Sequence, residues 1–452
     1  MLLTIEALIY GGDGLARLPA DERGRGKAVF VPFVLAGEKI EATLSEQKPG
    51  FARAQLEAVV ERSPRRVDPA CPHFSRCGGC HYQHTSYEHQ LAIKKEILQE
   101  SLKRTARLEL SCEIEVHASP PWNYRNRSRL QVRTRPEFEI GYFMAASQEV
   151  VAVEQCPISS PLVNLGITEI WKFGRKGRVP PGVNEIEFFA NADDSQLLVE
   201  VGCLADARRA SIRAFIEELS ADMPEIAGVV ALRANPNSSR NEPTRTVAGA
   251  VEEFVSVGSK HLTYQTGRTA FRVSAGSFFQ TNRHLIDELV RIVTDGQTGG
   301  LALDLYAGVG LFSTALAGDV RHIVSVESSQ TSSADLAYNQ SSNGELVQAT
   351  TERYLAQLKN SGRSGTSSVL PHASYQPDLA VVDPPRSGLG EPVARLLANL
   401  GAPRVTYVSC DPATLARDLV PLLAAGYHVE QAHLVDLFPQ TYHLETVLHL
   451  RK

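Results

Sequence analysis

Leu303-Asp304-Leu305-Tyr306-Ala307-Gly308-Val309-Gly310 is an apolar strand running into a glycine turn. Such a turn at a helix start lets the backbone approach a ligand, so the stretch reads as the entry to a nucleoside site. Outward from it, the apolar runs 302–305, 323–326, 379–382 and 405–408 alternate with helical segments, the pattern of a parallel α/β sheet. Residues 266–452 are therefore expected to form a Rossmann-like domain. Glu327, ending the second run, can accept hydrogen bonds from ribose hydroxyls. The third glycine of the dinucleotide fingerprint is missing, which favours S-adenosylmethionine over NAD.

Two further strand ends carry chemistry. Asp383-Pro384-Pro385-Arg386 follows the third run, where two prolines stiffen the exit and aim Asp383 into the crevice. Cys410, in Val408-Ser409-Cys410-Asp411-Pro412, ends the fourth. An isolated cysteine is usually a small buried hydrophobe. The polar flanks and the helix start at Pro412 mark this one as a nucleophile, because a helix N-terminus stabilises thiolate. Glu445, a carboxylate entering the last apolar strand, is a candidate base.

Residues 1–62 carry short β-like runs and turns, the pattern of a small OB-like barrel. Ser63 to Pro69 reads as a linker. Residues 63–265 are expected to form a mixed α+β central domain, with a helix over 87–107 and a turn at 235–239. Residues 360–368 read as a polar excursion loop. Cys71-x5-Cys77-Gly78-Gly79-Cys80 puts three thiols within ten residues, a strong metal signal, and Cys156 before Pro157 is the best fourth ligand. Zinc, held by four cysteines or with His73, His81 or His84, is the alternative. Between 122 and 135 arginines alternate with other residues, so Arg125, Arg127, Arg129, Arg133 and Arg135 would share one strand face beside Trp122 and Tyr124. Five like charges on one face call for an anion, and RNA fits.

The 452 residues are 43% hydrophobic and 21% charged, enough for about two to four domains. No run reaches the roughly 18 apolar residues of a membrane span, and the start lacks the features of a signal peptide. Cytoplasmic localisation, no membrane partner and a monomer are the expectations. Seven cysteines at irregular spacing fit reduced thiols or metal ligands. A net charge of −5 excludes nonspecific coating of nucleic acid and confines any polyanion site to a local surface.

Together these segments resemble the RNA uracil-5-methyltransferase family, specifically iron–sulfur 23S rRNA (uracil-C5)-methyltransferases with an N-terminal TRAM domain. The resemblance rests on residues 37–44 and 50–54, the four cysteines, Phe278-Phe279-Gln280, residues 304–310, 383–386, 409–414 and 438–445. It implies that Gln280, Tyr306, Glu327 and Asp383 contact S-adenosylmethionine, that Cys410 is the nucleophile and Glu445 the base, and that Cys71, Cys77, Cys80 and Cys156 hold a [4Fe-4S] cluster. Methylation at uridine C5 would pass through a covalent bond from cysteine to C6. Asp411 departs from the usual Asn, and an extra carboxylate there should raise the thiol pKa. Open alternatives are the same chemistry on tRNA uridine-54, a non-catalytic iron–sulfur RNA-binding protein, and an amino-group methyltransferase built on Asp383-Pro384-Pro385.

Overall fold

In the computed structural model, residues 1–19, 26–234, 251–267, 269–364 and 376–452 are described. The N-terminal unit is a six-stranded sheet running from Leu2–Thr4 to Phe51–Glu61. Its strands alternate buried and exposed residues, which puts Leu3, Val29, Val31, Ile40 and Ala52 in one core.

The central unit is a seven-stranded sheet backed by helices Pro161–Arg175 and Arg209–Asp222. Strand Leu197–Cys203 is buried throughout and pairs on both sides. Strand Arg127–Arg133 lies next to Val183–Ala190 in this sheet.

The third unit has an eight-stranded sheet in the order Gly344–Gln348, Val320–Glu327, Gly299–Leu305, Leu379–Val382, Arg404–Ser409, Glu445–Arg451, His428–Val435, Ile114–His117. The first five are parallel to one another. Glu445–Arg451 runs antiparallel between its neighbours. The order reverses beside Gly299–Leu305, so a ligand crevice opens at the carboxyl ends there. The four runs singled out in the sequence are all strands of this sheet.

The chain does not divide cleanly at 265/266. That point lies in the hairpin of His261–Gln265 with Ala270–Ser274. Strand Ile114–His117 extends the C-terminal sheet, and Ile93, Ile97, Leu98 and Leu102 share a core with Leu303, Val382 and Leu448. The helix expected over 87–107 is α-helical at Tyr87–Ser101 and closes in a π-helical turn at Leu102–Ala106. Residues 360–364 end helix Thr351–Ser364 rather than forming a loop. The rest of that expected loop and the 235–239 turn lie outside the described residues. Among the described residues, no helix is long and apolar enough to cross a membrane.

Candidate active site

The glycine turn is held by carboxylates behind it. Glu327 accepts from Gly308 N at 2.9 Å and from Ser329 N at 2.6 Å. Asp304 accepts from Ser313 N at 2.9 Å through Oδ2. Gly310 has φ 94°, and a Cβ there would stand 2.7 Å from Leu336 Cδ1, so only glycine fits. Tyr306 also adopts positive φ, 66°. The segment through Gln280 is tied to the helix after Glu327 by Asp335, which accepts from Arg272 Nε, Ser274 N and Oγ, and Ser277 Oγ. Gln280 is buried. Asp335 escaped the sequence reading because a lone helix carboxylate carries no local signal.

Cys410 and Glu445 meet through sheet register. Ser409 pairs with Thr446 on antiparallel strands, so the next positions, 410 and 445, face each other at the same end. Burial first, then Glu445 and Asp383, push the Cys410 thiol up to about 12. Burial and Asp383 raise Glu445 well above the carboxylate range, and Arg386 offsets part of that. Burial and Asp304 raise Asp383 to about 7; burial, with Glu327 adding, raises Asp304 to about 6. The crevice is thus crowded with acidic groups, which Arg386 offsets only in part.

The helix start does not favour thiolate as expected. Asp411 caps helix Pro412–Ala424, accepting from Ala413 N at 3.0 Å and Thr414 N at 2.9 Å, so the free amides serve this carboxylate. The same bonds disperse its charge, and Asp411 ranks last among the influences raising Cys410.

The loop leading to Glu445 is held from several sides. Lys94 donates to Asp436 at 2.6 Å and to the Phe438 carbonyl at 2.9 Å, fully buried. Gln90 and Gln440 exchange two hydrogen bonds. Tyr124 Oη donates to the Pro439 carbonyl and Asn282 Nδ2 to that of Leu437. From the N-terminal unit, Tyr10 Oη donates to the Cys410 carbonyl at 3.2 Å, and its ring meets Tyr442 edge-on. Lys94 had a legible signal, since it is a charge inside the apolar stripe of its helix. The other contacts join residues hundreds of positions apart.

Cys71, Cys77, Cys80 and Cys156 line one cavity of about 710 Å³. Cys156 pushes the other three thiols up in addition to burial, Cys80 to about 12 and Cys77 to about 11. Gly79 N donates to Cys77 Sγ at 3.4 Å. Four half-buried cysteines around one space, with an amide directed at one sulfur, fit a thiolate-ligated metal or cluster. Of the histidines considered, only His73 lines the cavity. His84 bonds the Val34 carbonyl and His81 packs against Tyr442.

Of the five arginines expected on one face, Arg127, Arg129 and Arg133 share a face of strand Arg127–Arg133, whereas Arg125 and Arg135 lie outside that strand, and carboxylates of the same sheet meet two of the three. Arg127 is paired with Glu187 and Glu200, and Arg129 with Glu187 and Glu185. Arg133 donates to the Gln148 carbonyl. Tyr124 is fully buried and unable to stack on a base. For Arg127 and Arg129 the like-charge argument fails because strands distant in sequence supply the counter-charges.

The model of the tRNA (uracil-5-)-methyltransferase family matches residues 86–452, and that of the TRAM domain residues 1–56. The chain belongs to the tRNA (uracil-5-)-methyltransferase family. It is an RNA uracil-C5 methyltransferase, with a TRAM domain in its N-terminal sheet, so the non-catalytic and amino-group readings fall. An uncharacterised RNA methyltransferase of Aquifex aeolicus is 30% identical, covering 98% of this chain and 97% of the relative. The 23S rRNA (uracil(1939)-C(5))-methyltransferase RlmD of Pseudomonas fluorescens (strain Pf-5) is 31% identical, covering 98% and 92%. The crystal structure of Pyrococcus abyssi tRNA (uracil-54, C5)-methyltransferase with S-adenosyl-L-homocysteine has a TM-score of 0.71 at 22% identity, covering all of both chains. It supports the fold.

Proposed function

We propose that this enzyme transfers a methyl group from S-adenosylmethionine to C5 of a uridine in 23S rRNA, with Cys410 as nucleophile and Glu445 as base. The observation that supports this is the pairing of Ser409 with Thr446, the neighbours of Cys410 and Glu445, together with the influence of Glu445 on the Cys410 thiol. Gly308, Tyr306, Gln280, Glu327 and Asp383 would line the seat of a nucleoside-type cofactor, and the excess of carboxylates suits a cationic one. A sulfonium brought beside Asp383 and Glu445 would lower the pKa of each, and that of Cys410 with them.

The Cys410 thiolate adds to C6, giving C5 enolate character. C5 then takes the methyl group, breaking its bond to the sulfonium sulfur. Glu445 removes the C5 proton, and the C6–S bond breaks to return the thiolate. A base within folded RNA must first be extruded to reach this crevice. The four cysteines would hold a [4Fe-4S] cluster, supplying a rigid, redox-capable crosslink between residues 71–80 and 156. The RlmD relatives favour rRNA over tRNA as the substrate. The test is methyl transfer to 23S rRNA and to tRNA lacking 5-methyluridine, with 5-fluorouridine RNA as a covalent trap. Transfer to tRNA alone would overturn the substrate, and no trapped adduct would overturn the mechanism.

A further inference from the structure

At the outer edge of the large sheet, away from Cys410, three side chains converge. Glu115 and His117 stand on strand Ile114–His117, and Glu115 pairs in register with His433. His117 Nε2 is 3.1 Å from His433 Nδ1. Glu115 Oε2 is 3.4 Å from His433 Nδ1, and Glu115 Oε1 is 3.8 Å from His117 Nε2. Ligands about 2.0–2.1 Å from a tetrahedral zinc ion stand roughly 3.3 Å from one another, so the trio already has nearly the spacing such an ion imposes.

A second observation is independent of that spacing. The other ring nitrogen of His117, Nδ1, lies 2.8 Å from Glu288 Oε1 on helix Ile286–Thr294. A carboxylate there fixes the Nδ1–H tautomer and leaves the Nε2 lone pair facing His433 and Glu115, the outer arrangement characteristic of metal-bound histidines. We infer that Glu115, His117 and His433 form a site for a divalent transition-metal ion, zinc by its donor set, which ties the edge strand Ile114–His117 to the sheet.

The surrounding charges permit this. Glu288 is held at about 2, first by its bond to Arg291. Arg291 spends its charge on Glu288 at 2.7 Å and Asp295 at 3.7 Å. His449 directs Nδ1 to Thr406 and Gln297. Without metal, His433 can donate to His117 and His117 to Glu288. That chain leaves unexplained why both Glu115 oxygens face the two ring nitrogens.

The test equilibrates the full-length protein with zinc, desalts it and reads metal content by mass spectrometry. Wild type should keep one zinc more than His433→Gln, with both folded by circular dichroism. Glu115→Gln, at a largely exposed side chain, should weaken zinc binding at least tenfold, and Glu288→Gln about tenfold. Cobalt in the same site should give a visible band without sulfur-to-cobalt charge transfer, separating it from the cysteine cavity. Equal zinc in wild type and folded His433→Gln, or unchanged affinity in Glu115→Gln, would overturn the site.

Discussion

Cys410 combines a raised thiol with a task that needs thiolate. Because the raised pKa keeps the sulfur protonated at neutral pH, turnover should climb as pH rises from 6 towards 9, and a pH–rate profile checks this. Cys410→Ala should abolish both methyl transfer and the 5-fluorouridine adduct. A variant that still formed the adduct would remove Cys410 from the reaction. Asp411→Ala should cost about 1 kcal/mol of stability through the lost helix cap, read by urea denaturation, while Asp411→Asn, which keeps a capping oxygen, should lose less. The sequence marked Cys410 through its place at a strand end. It read Asp411 only as a carboxylate that raises the thiol and missed its capping role, because a carboxylate beside a thiol and a carboxylate capping a helix look alike in a string of residues.

At the scale of elements, helix Tyr87–Ser101 acts on the Glu445 loop through the buried Lys94–Asp436 pair. Lys94→Met should destabilise the protein by about 3–5 kcal/mol, since it strands a buried carboxylate. Adding Asp436→Leu should recover part of that in denaturant melts. The arginine strand yields a contrasting expectation. Arg127→Met should lower stability without changing the salt dependence of RNA binding, because its charge is already matched by Glu187 and Glu200; a reduced salt slope would return Arg127 to the RNA interface. The alternation that placed these arginines on one face was legible. Their partners on strands Val183–Ala190 and Leu197–Cys203 were not, because strand neighbours are chosen by the packing of the whole sheet.

Across the whole molecule, the N-terminal sheet touches the proposed reacting centre through Tyr10, whose hydroxyl meets the Cys410 carbonyl. Tyr10→Phe should lower kcat while leaving RNA affinity nearly unchanged, measured by single-turnover kinetics and equilibrium binding. Equal losses in both would make the contact a simple binding element. The crevice carboxylates set a pH dependence for the ligand-free fold. Asp304 and Asp383 titrate in the folded state near 6 and 7, above the ordinary Asp value of about 3.9. Their stabilising contribution is present below pH 4 and lost as pH rises through 6 to 7. Melting temperatures across that window should show this component, Asp383→Asn should flatten it, and a cationic cofactor should offset it.

The sequence by itself determined the strand–turn–helix units, the glycine at 310, the cysteine spacing and the order of the three regions, because each is written in local periodicity and backbone preference. Tertiary structure alone decided that the strand end at Cys410 lies beside that at Glu445, that carboxylates neutralise Arg127 and Arg129, and that residues 87–117 pack with the C-terminal sheet. Those outcomes depend on strand register and on burial, which sum contacts over the entire chain and leave no mark in any short segment of it.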